Sequence, residues 1–558
     1  MCGIFALCNY TDLYPNLSEA LIEDSFNEGK GRGPEFSTLM LASIDLKFGF
    51  HRLAINGINS EANQPININN VSIICNGEIY NYKELYNFLK IKPKTDSDCE
   101  IILHLYVKFG IENTLKLLDG VFAFVLLDNN KGHMYVARDP YGVRSLYYTK
   151  NNDLLGFASE MSMIHKLSNS DVMHFPPGSY MQLILPHCIC PKWQIIKTIK
   201  YHNHAFSVIS LDETHNFHEI FNNVKTLLTK AVYKRCSTSD RPIACLLSGG
   251  LDSSLIAALV NQYHKINNLP TLETYCIGIK GSVDIENAER VARFLGTKHT
   301  SVLISEEDFI NAIPEVIKTI ESYDTTTVRA SIGNYLIAKY ISENSEAKVI
   351  FSGEGSDELT GGYLYMNQAP NCFEFDLECK RLLSDIYIFD VTRGDKCISS
   401  HGLEPRIPFL DRNFVQYYLS LPMNVRYRTG EFPDFSYFKF CEKFILRKSF
   451  ESSCLLPNDI LWRTKEAFSD GVSGQEKSLF EIIQDKLVDL ELEHSYTHNP
   501  PKTKEQLYYR NIFEECYPNQ SHIIPYFWMP RFVDANDPSA RTLKIYKESN
   551  PELNERSL

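Results

Sequence analysis

Short apolar runs separated by turn residues fill the first part of the chain. Gly3–Leu7, Val71–Cys75, Val121–Leu127 and Met134–Ala137 read as strands, and Leu17–Asn27 and Ser97–Phe109 carry helical patterns. This mixture predicts an α+β unit with antiparallel sheet over residues 2–190, followed by a connector at 191–215. The rhythm then changes. Pro242–Leu247 reads as an apolar strand and Asp252–Tyr263 as an amphipathic helix. Leu272–Ile279, a helix over Asp284–Leu295, Ser301–Ile304, another helix and Lys348–Phe351 follow. Strands alternating with helices predict a doubly wound parallel sheet within residues 216–540, turning mainly helical beyond about residue 375. Residues 541–558 read as a polar tail. The Asn-rich stretch from Asn56 to Asn70 reads as surface loop of biased composition.

Composition narrows the function classes. The chain has 558 residues, 44% of them hydrophobic and 22% charged, which suits a globular protein of several domains. Its longest clean apolar run, Val121–Leu127, falls far short of the ~18 residues of a membrane span. No basic segment followed by a long apolar stretch opens the chain, so no signal peptide is expected. A net charge of −13 disfavours nucleic-acid and anionic-membrane partners, but a few local cations still suffice for anionic small molecules. The 15 cysteines are odd in number and scattered, which predicts reduced thiols in a cytoplasmic protein. Cys188-Ile189-Cys190 lacks zinc-knuckle spacing, and His202-Asn203-His204 reads as a solvated loop.

Chemistry starts at the second residue. Removal of Met1 leaves Cys2 with a thiol and a free α-amine, whose reference pKa near ~8 lets it act as base for its own side chain. Asn76-Gly77-Glu78 follows the strand Val71–Cys75, and an Asn amide with a Gly backbone N–H are suitable donors to an oxyanion. Arg52, in His51-Arg52-Leu53, offers a guanidinium for a carboxylate, and Glu78 and Asp98 offer carboxylates for an ammonium group. The set recognises an α-amino acid zwitterion while a thiolate attacks its side chain.

These segments resemble the class II glutamine amidotransferases: Cys2-Gly3-Ile4, Arg32-Gly33-Pro34, His51-Arg52-Leu53, Gln64-Pro65, Asn76–Asn81 and Ser97–Glu100. The resemblance implies a four-layer αββα N-terminal-nucleophile sandwich. It also implies Cys2 as nucleophile, Asn76 and Gly77 as oxyanion hole, and glutamine held by Arg52, Leu53, Glu78 and Asp98. One departure is Gly31, where the family usually has His before the Arg-Gly-Pro turn.

A second centre lies at Ser248-Gly249-Gly250-Leu251-Asp252-Ser253-Ser254, after a strand and before a helix, where backbone N–H groups can cradle phosphate. The Gly-Lys-Ser/Thr ending of a Walker loop is absent. The loop resembles the pyrophosphate loop of ATP pyrophosphatases, which cut ATP between the α and β phosphates, with Asp252 as an oxygen ligand for Mg²⁺. Ser352–Glu358 follows another parallel strand, so both loops are expected to face one crevice. Thr326 and Arg329 are suited to a dicarboxylic amino acid, and Lys443, at helical spacing, to a leaving phosphate.

Ser248–Ser254, Tyr323–Ser331, Ser352–Glu358, Gly361–Tyr363, Glu404–Asp411 and Trp462–Gly471 together resemble glutamine-hydrolysing asparagine synthetase, over about residues 2–540. The resemblance implies ATP-dependent amidation of aspartate through a Cys2 thioester and β-aspartyl-AMP, with glutamate, AMP and pyrophosphate released. It implies ATP contacts at Leu246, Ser248, Gly249, Gly250, Asp252, Ser253, Ile277, Ser352 and Gly353, and aspartate contacts at Thr326 and Arg329. Glu354 and Lys443 would be catalytic, and Asp252 and Asp357 would hold Mg²⁺. Lys280 departs from the family's pattern beside the nucleotide. The expected partners are glutamine, aspartate and ATP, and the reading allows a homodimer.

Overall fold

A computed structural model describes residues 2–11, 17–168, 170–210, 215–427, 441–465 and 479–539. The expected polar tail at 541–558, and residues 466–471 of the Trp462–Gly471 motif, lie outside the described residues.

Two six-stranded antiparallel sheets build the N-terminal half. The first runs Val172–His174, Tyr147–Asn151, Leu154–Ala158, Gly3–Cys8, Leu46–Arg52, Phe36–Ser43 in spatial order. The second runs Gln194–Lys200, Ser179–Ile184, His133–Arg138, Gly120–Asp128, Val71–Ile79, Ile66–Ile68. Strand Gly3–Cys8 is buried at every position, so its sequence carries no polar alternation. Its side chains nevertheless divide by parity. Ile4, Ala6 and Cys8 join Ile74, Val125 and Val136 in the core between the sheets. Phe5 and Leu7 join Ile22 and Phe26 of helix Glu19–Asn27, and Phe309 and Ile313 of helix Glu306–Ile320, on the other face. Helices Tyr82–Leu89 and Glu100–Leu117 cover the outer face of the second sheet through Leu85, Leu89, Ile101 and Leu105. The αββα layering follows. A one-residue slip of Gly3–Cys8 would exchange the two cores.

Three expectations need correction here. The strand at Val71 runs on to Ile79 because pairing with Gly120–Asp128 continues through Asn76↔Ala123 and Gly77↔Phe122. Asn76 and Gly77 therefore sit inside the strand, not beyond its end. The stretch read as connector contains strand Gln194–Lys200, which pairs with Ser179–Ile184 at the sheet edge. His202 and His204 are not in a solvated loop: their rings pack against Tyr141 and burial pushes both down to about 4.

The C-terminal half holds a five-stranded parallel sheet ordered Lys298–Ile304, Glu273–Ile279, Ile243–Leu246, Val349–Phe351, Glu404–Arg406. The chain starts at the central strand Ile243–Leu246, fills one side, then returns to fill the other. The loops leaving Leu246 and Phe351 thus diverge across a topological switch point, where ligands of doubly wound sheets bind. A further apolar cluster joins the halves: Leu53, Tyr80 and Val143 pack with Leu247, Phe351, Ile407 and Leu410.

Candidate active sites

At the first centre Cys2 enters strand Gly3–Cys8, half-buried. Its thiol donates to the Leu53 carbonyl at 3.7 Å, and its own carbonyl accepts from Arg32 Nε at 3.1 Å. Burial pushes the thiol up to about 11, against a smaller downward pull from Arg52. A thiol at that value is almost wholly protonated at neutral pH, so nucleophilic attack requires a local base. The α-amine that removal of Met1 would expose has the basicity for that task.

Asn76 is fully buried, and neither its amide nitrogen nor its amide oxygen has a hydrogen-bond partner. Such a group costs roughly 1–3 kcal/mol unless something arrives to satisfy it. Beside it, a Cβ on Gly77 would lie 2.5 Å from the Val121 carbonyl oxygen, so only glycine fits against the paired strand. If the unpartnered amide is a donor to an oxyanion, Asn76→Ala removes that donor. The expected result is a fall of about 10²–10³-fold in kcat for glutamine hydrolysis with KM little changed, read by steady-state glutamate release. An unchanged kcat would exclude the role.

The charged side chains of this centre are held by residues outside the motifs. Arg52 donates to the Asn59 carbonyl at 2.7 Å, to Asn63 Oδ1 at 2.6 Å and to the Gly57 carbonyl. Glu78 Oε2 accepts from Asn56 Nδ2 at 2.6 Å. The Asn-rich stretch thus brackets the Arg52 guanidinium and the Glu78 carboxylate, and is not a neutral surface loop. Asp98 precedes helix Glu100–Leu117 and accepts from the Ile79 N–H at 2.7 Å; burial pushes its carboxyl up to about 6.

Glu78 also meets the other half of the chain, 3.3 Å from Arg406 Nη2. Arg406 is in the edge strand Glu404–Arg406, and its carbonyl accepts from the Ser352 N–H at 3.0 Å. One residue therefore touches a carboxylate of the first centre with its side chain and a loop of the second with its backbone. Arg32 makes a parallel link. It pairs with Glu160 and, at 2.7 Å, with Asp395 of helix Asp390–Ser399, whose Arg393 lies 3.5 Å from Glu354.

The second centre is a crevice lined by Leu246, Ser248, Gly250, Asp252, Ser253, Ile277, Ser352, Gly353, Glu354, Asp357 and Lys443. Gly249 is the exception among the sequence-derived nucleotide contacts. At φ +74° it turns toward helix Val283–Leu295, where a Cβ would lie 2.5 Å from Asn287 Cβ, and its carbonyl accepts from Arg463 at 3.1 Å. The two loops are tied by Ser356 Oγ donating to Asp252 Oδ1 at 2.8 Å.

Lys443 reaches this crevice from a different backbone than expected. It caps helix Phe444–Glu451 in the left-handed region, φ +57°, where a non-glycine residue is uncommon and mildly strained. That turn drives the side chain inward to pair with Asp252 and, at 2.7 Å, with Asp357. Lys465, passed over in the sequence, sits 2.7 Å from the other oxygen of Asp357. The two ammonium groups hold the Asp357 carboxyl well below the usual carboxylate range. Glu354 is the opposite case. Burial raises its affinity for a proton, Asn334 donates to one oxygen at 3.3 Å, and its other oxygen has no partner.

An adjoining pocket contains Thr326, Arg329, Tyr363, Asp390, Arg393 and Lys465. The Thr326 hydroxyl is buried there without a partner. The Arg329 guanidinium is already bonded to Glu505 and Asp537, so it does not stand open to a ligand as the sequence reading had it.

Comparisons with known proteins agree with this division. The profile of the asparagine synthase family matches residues 223–378 and 373–532, and that of the glutamine amidotransferase domain matches residues 1–205. "Asparagine synthetase [glutamine-hydrolyzing]" of Gallus gallus is 45% identical over 90% of this chain and 92% of its own length. The proteins of the same name from Cricetulus griseus and Homo sapiens are 44% and 43% identical, each over 98% of this chain and 100% of their own length.

Proposed function

The chain belongs to the glutamine-hydrolysing asparagine synthetases, and from that premise we propose how its residues divide the work. Asparagine synthesis here depends on ATP and on glutamine as the nitrogen source. The orphaned amide of Asn76, beside the Cys2 strand, is the observation that most supports the assignment of the first centre.

In this reading the Cys2 α-amine takes the thiol proton, and the thiolate attacks the glutamine side-chain amide. Asn76 and the Gly77 N–H hold the oxyanion as a thioester forms and ammonia leaves. Arg52 fixes the substrate carboxylate, Glu78 and Asp98 fix its ammonium group, and the Leu53 carbonyl orients the thiol. At the second centre Leu246 and Ile277 contact the base. Ser248, Gly250, Ser253, Ser352 and Gly353 surround the phosphates, with Gly249 shaping the turn. Asp252 and Asp357 face one another across the crevice, and two carboxylates with phosphate oxygens suit Mg²⁺. When bound, the ion would neutralise phosphate charge. Thr326 and Arg329 orient aspartate so that its β-carboxylate attacks the α-phosphate, and Lys443 stabilises the departing pyrophosphate. Ammonia then displaces AMP, and the raised proton affinity of Glu354 suits it to take the proton that ammonia sheds.

Ammonia must pass between the centres unprotonated, because ammonium is no nucleophile. That requirement is the ground for an internal route, which would cross the apolar cluster shared by the halves. The free cysteines fit a reducing, cytoplasmic setting. Incubation of pure protein with aspartate, ATP, Mg²⁺ and glutamine is expected to yield asparagine, glutamate, AMP and pyrophosphate, identified by mass. Formation of ADP and phosphate would refute the assignment of the second centre.

A further inference from the structure

Arg329 lies on helix Thr325–Asn344, buried to 4% exposure. Its guanidinium presents two edges. The Nε–Nη2 edge is held by Glu505, with bonds of 2.8 and 2.6 Å. Glu505 is fully buried on helix Lys504–Cys516, and Gln484 also donates to it, at 3.1 Å. The Phe480 ring lies 5.1 Å from the guanidinium carbon. These contacts fix the fork in place. The Nη1–Nη2 edge is held by Asp537, with two bonds of 2.8 Å. Asp537 belongs to no helix or strand, and the residues after it, Pro538 and Ser539, are walls of the pocket that Thr326 and Arg329 line. That pocket shares Asp357, Asp390, Arg393 and Lys465 with the nucleotide crevice.

We propose that Asp537 is an internal stand-in for a carboxylate of the acceptor amino acid, held on the open edge of Arg329 until substrate aspartate replaces it. The proposal rests on the reading of Arg329 as an acceptor-site residue. Glu505 is the positioning residue that keeps the fork aimed. The chemistry of the exchange is symmetrical. Asp537 offers the fork a carboxylate, as the α-carboxylate of free aspartate would, and swapping one for the other leaves the charge around Arg329 unchanged. Glu505 alone already balances the guanidinium, so Asp537 can leave without exposing an unpaired buried cation. The buried, unpartnered hydroxyl of Thr326 in the same pocket gives an arriving substrate a hydrogen bond beyond the two it replaces. A tethered carboxylate competes at an effective concentration on the order of millimolar, so it weakens apparent aspartate binding by the fraction of time it occupies the fork.

The test measures aspartate KM in ammonia-dependent synthesis for wild type, Asp537→Ala, Asp537→Asn and Arg329→Lys. In the wild type it also follows hydrogen exchange at residues 537 and 539 with and without saturating aspartate and ATP. Loss of the competitor is expected to lower aspartate KM about 3- to 10-fold in both Asp537 variants, with glutamine hydrolysis unchanged. Exchange at 537 and 539 is expected to quicken when aspartate binds. Arg329→Lys keeps the charge but loses the planar fork, and is expected to raise aspartate KM. If Arg329→Lys raises KM while the Asp537 variants leave it unchanged or higher, the stand-in is overturned and the acceptor reading survives. If Arg329→Lys leaves KM unchanged, both fall. Slower exchange on binding aspartate overturns the stand-in in the intact protein, whatever the stability of the variants.

Discussion

Cys2→Ala is expected to abolish glutamine-dependent asparagine synthesis, by about 10⁴-fold or more, while ammonia-dependent synthesis stays within about threefold of wild type. The asymmetry follows from the geometry. Cys2 touches Leu53, Arg32 and the core between the two antiparallel sheets, and none of these residues lines the nucleotide crevice. Alanine at position 2 removes the sulfur but keeps the strand. A retained Met1 is expected to have the same effect, because it converts the base into an amide while leaving the thiol raised by burial. The measurement is asparagine formation with glutamine and, separately, with ammonium, together with mass determination of the N-terminus. Equal loss of both activities would show that the two centres are not separable.

Asp252→Asn and Lys443→Ala are expected to produce the converse. Asparagine formation should fall about 10²–10³-fold with either nitrogen source, while glutamine hydrolysis persists. Asp252 links both loops of the crevice, accepting from Ser356 and pairing with Lys443. Asn at 252 keeps the Ser356 bond and the side-chain volume, so its effect reports charge and not collapse. Lys443→Ala is the more disruptive change. It leaves Asp252 and Asp357 with Lys465 as their shared cation, 3.7 and 2.7 Å away, and a buried charge that loses a partner is costly. A fall in thermal stability is the expected companion result in both variants, because each leaves one charge of the Asp252, Asp357, Lys443 and Lys465 group unbalanced. Pyrophosphate release measures the first effect and calorimetric unfolding the second. Wild-type rates of pyrophosphate release in Asp252→Asn would remove the loop from the chemistry.

The parts of this molecule that the sequence expresses locally were the parts that could be read from it. The loop at Ser248–Ser254 keeps strand, glycine and helix within one short segment, and its crevice lies where the strand order predicts. Other features have no local signal. Strand Glu404–Arg406 has three residues and no pattern, yet it carries Arg406 between the two centres. Strand Gln194–Lys200 forms because a sheet edge is available to pair with it. The inward aim of Lys443 comes from a single left-handed residue that helical periodicity does not encode. The partners of Arg329 stand 176 and 208 residues away in the chain, so the sequence offers the guanidinium but not its occupants. Asn56, Asn59 and Asn63 looked like compositional bias because their partners, Glu78 and Arg52, are assigned only by the fold. The Gly31 departure has a steric companion: a Cβ there would lie 2.9 Å from the Ser400 carbonyl oxygen, at the end of the helix that carries Asp395.

In the reading proposed above, the crevice between the Ser248 and Ser352 loops activates aspartate by joining its β-carboxylate to the α-phosphate of ATP. Isotopic oxygen tests this most directly. Aspartate labelled with ¹⁸O in its β-carboxylate is converted with unlabelled ATP and glutamine, and the nucleotide and phosphate products are weighed by mass spectrometry. Attack on the α-phosphate leaves one carboxylate oxygen on that phosphorus when ammonia displaces AMP. AMP carrying a single ¹⁸O, in an amount equal to the asparagine formed, and unlabelled pyrophosphate are the expected products. Label in inorganic phosphate accompanied by ADP would contradict that reading.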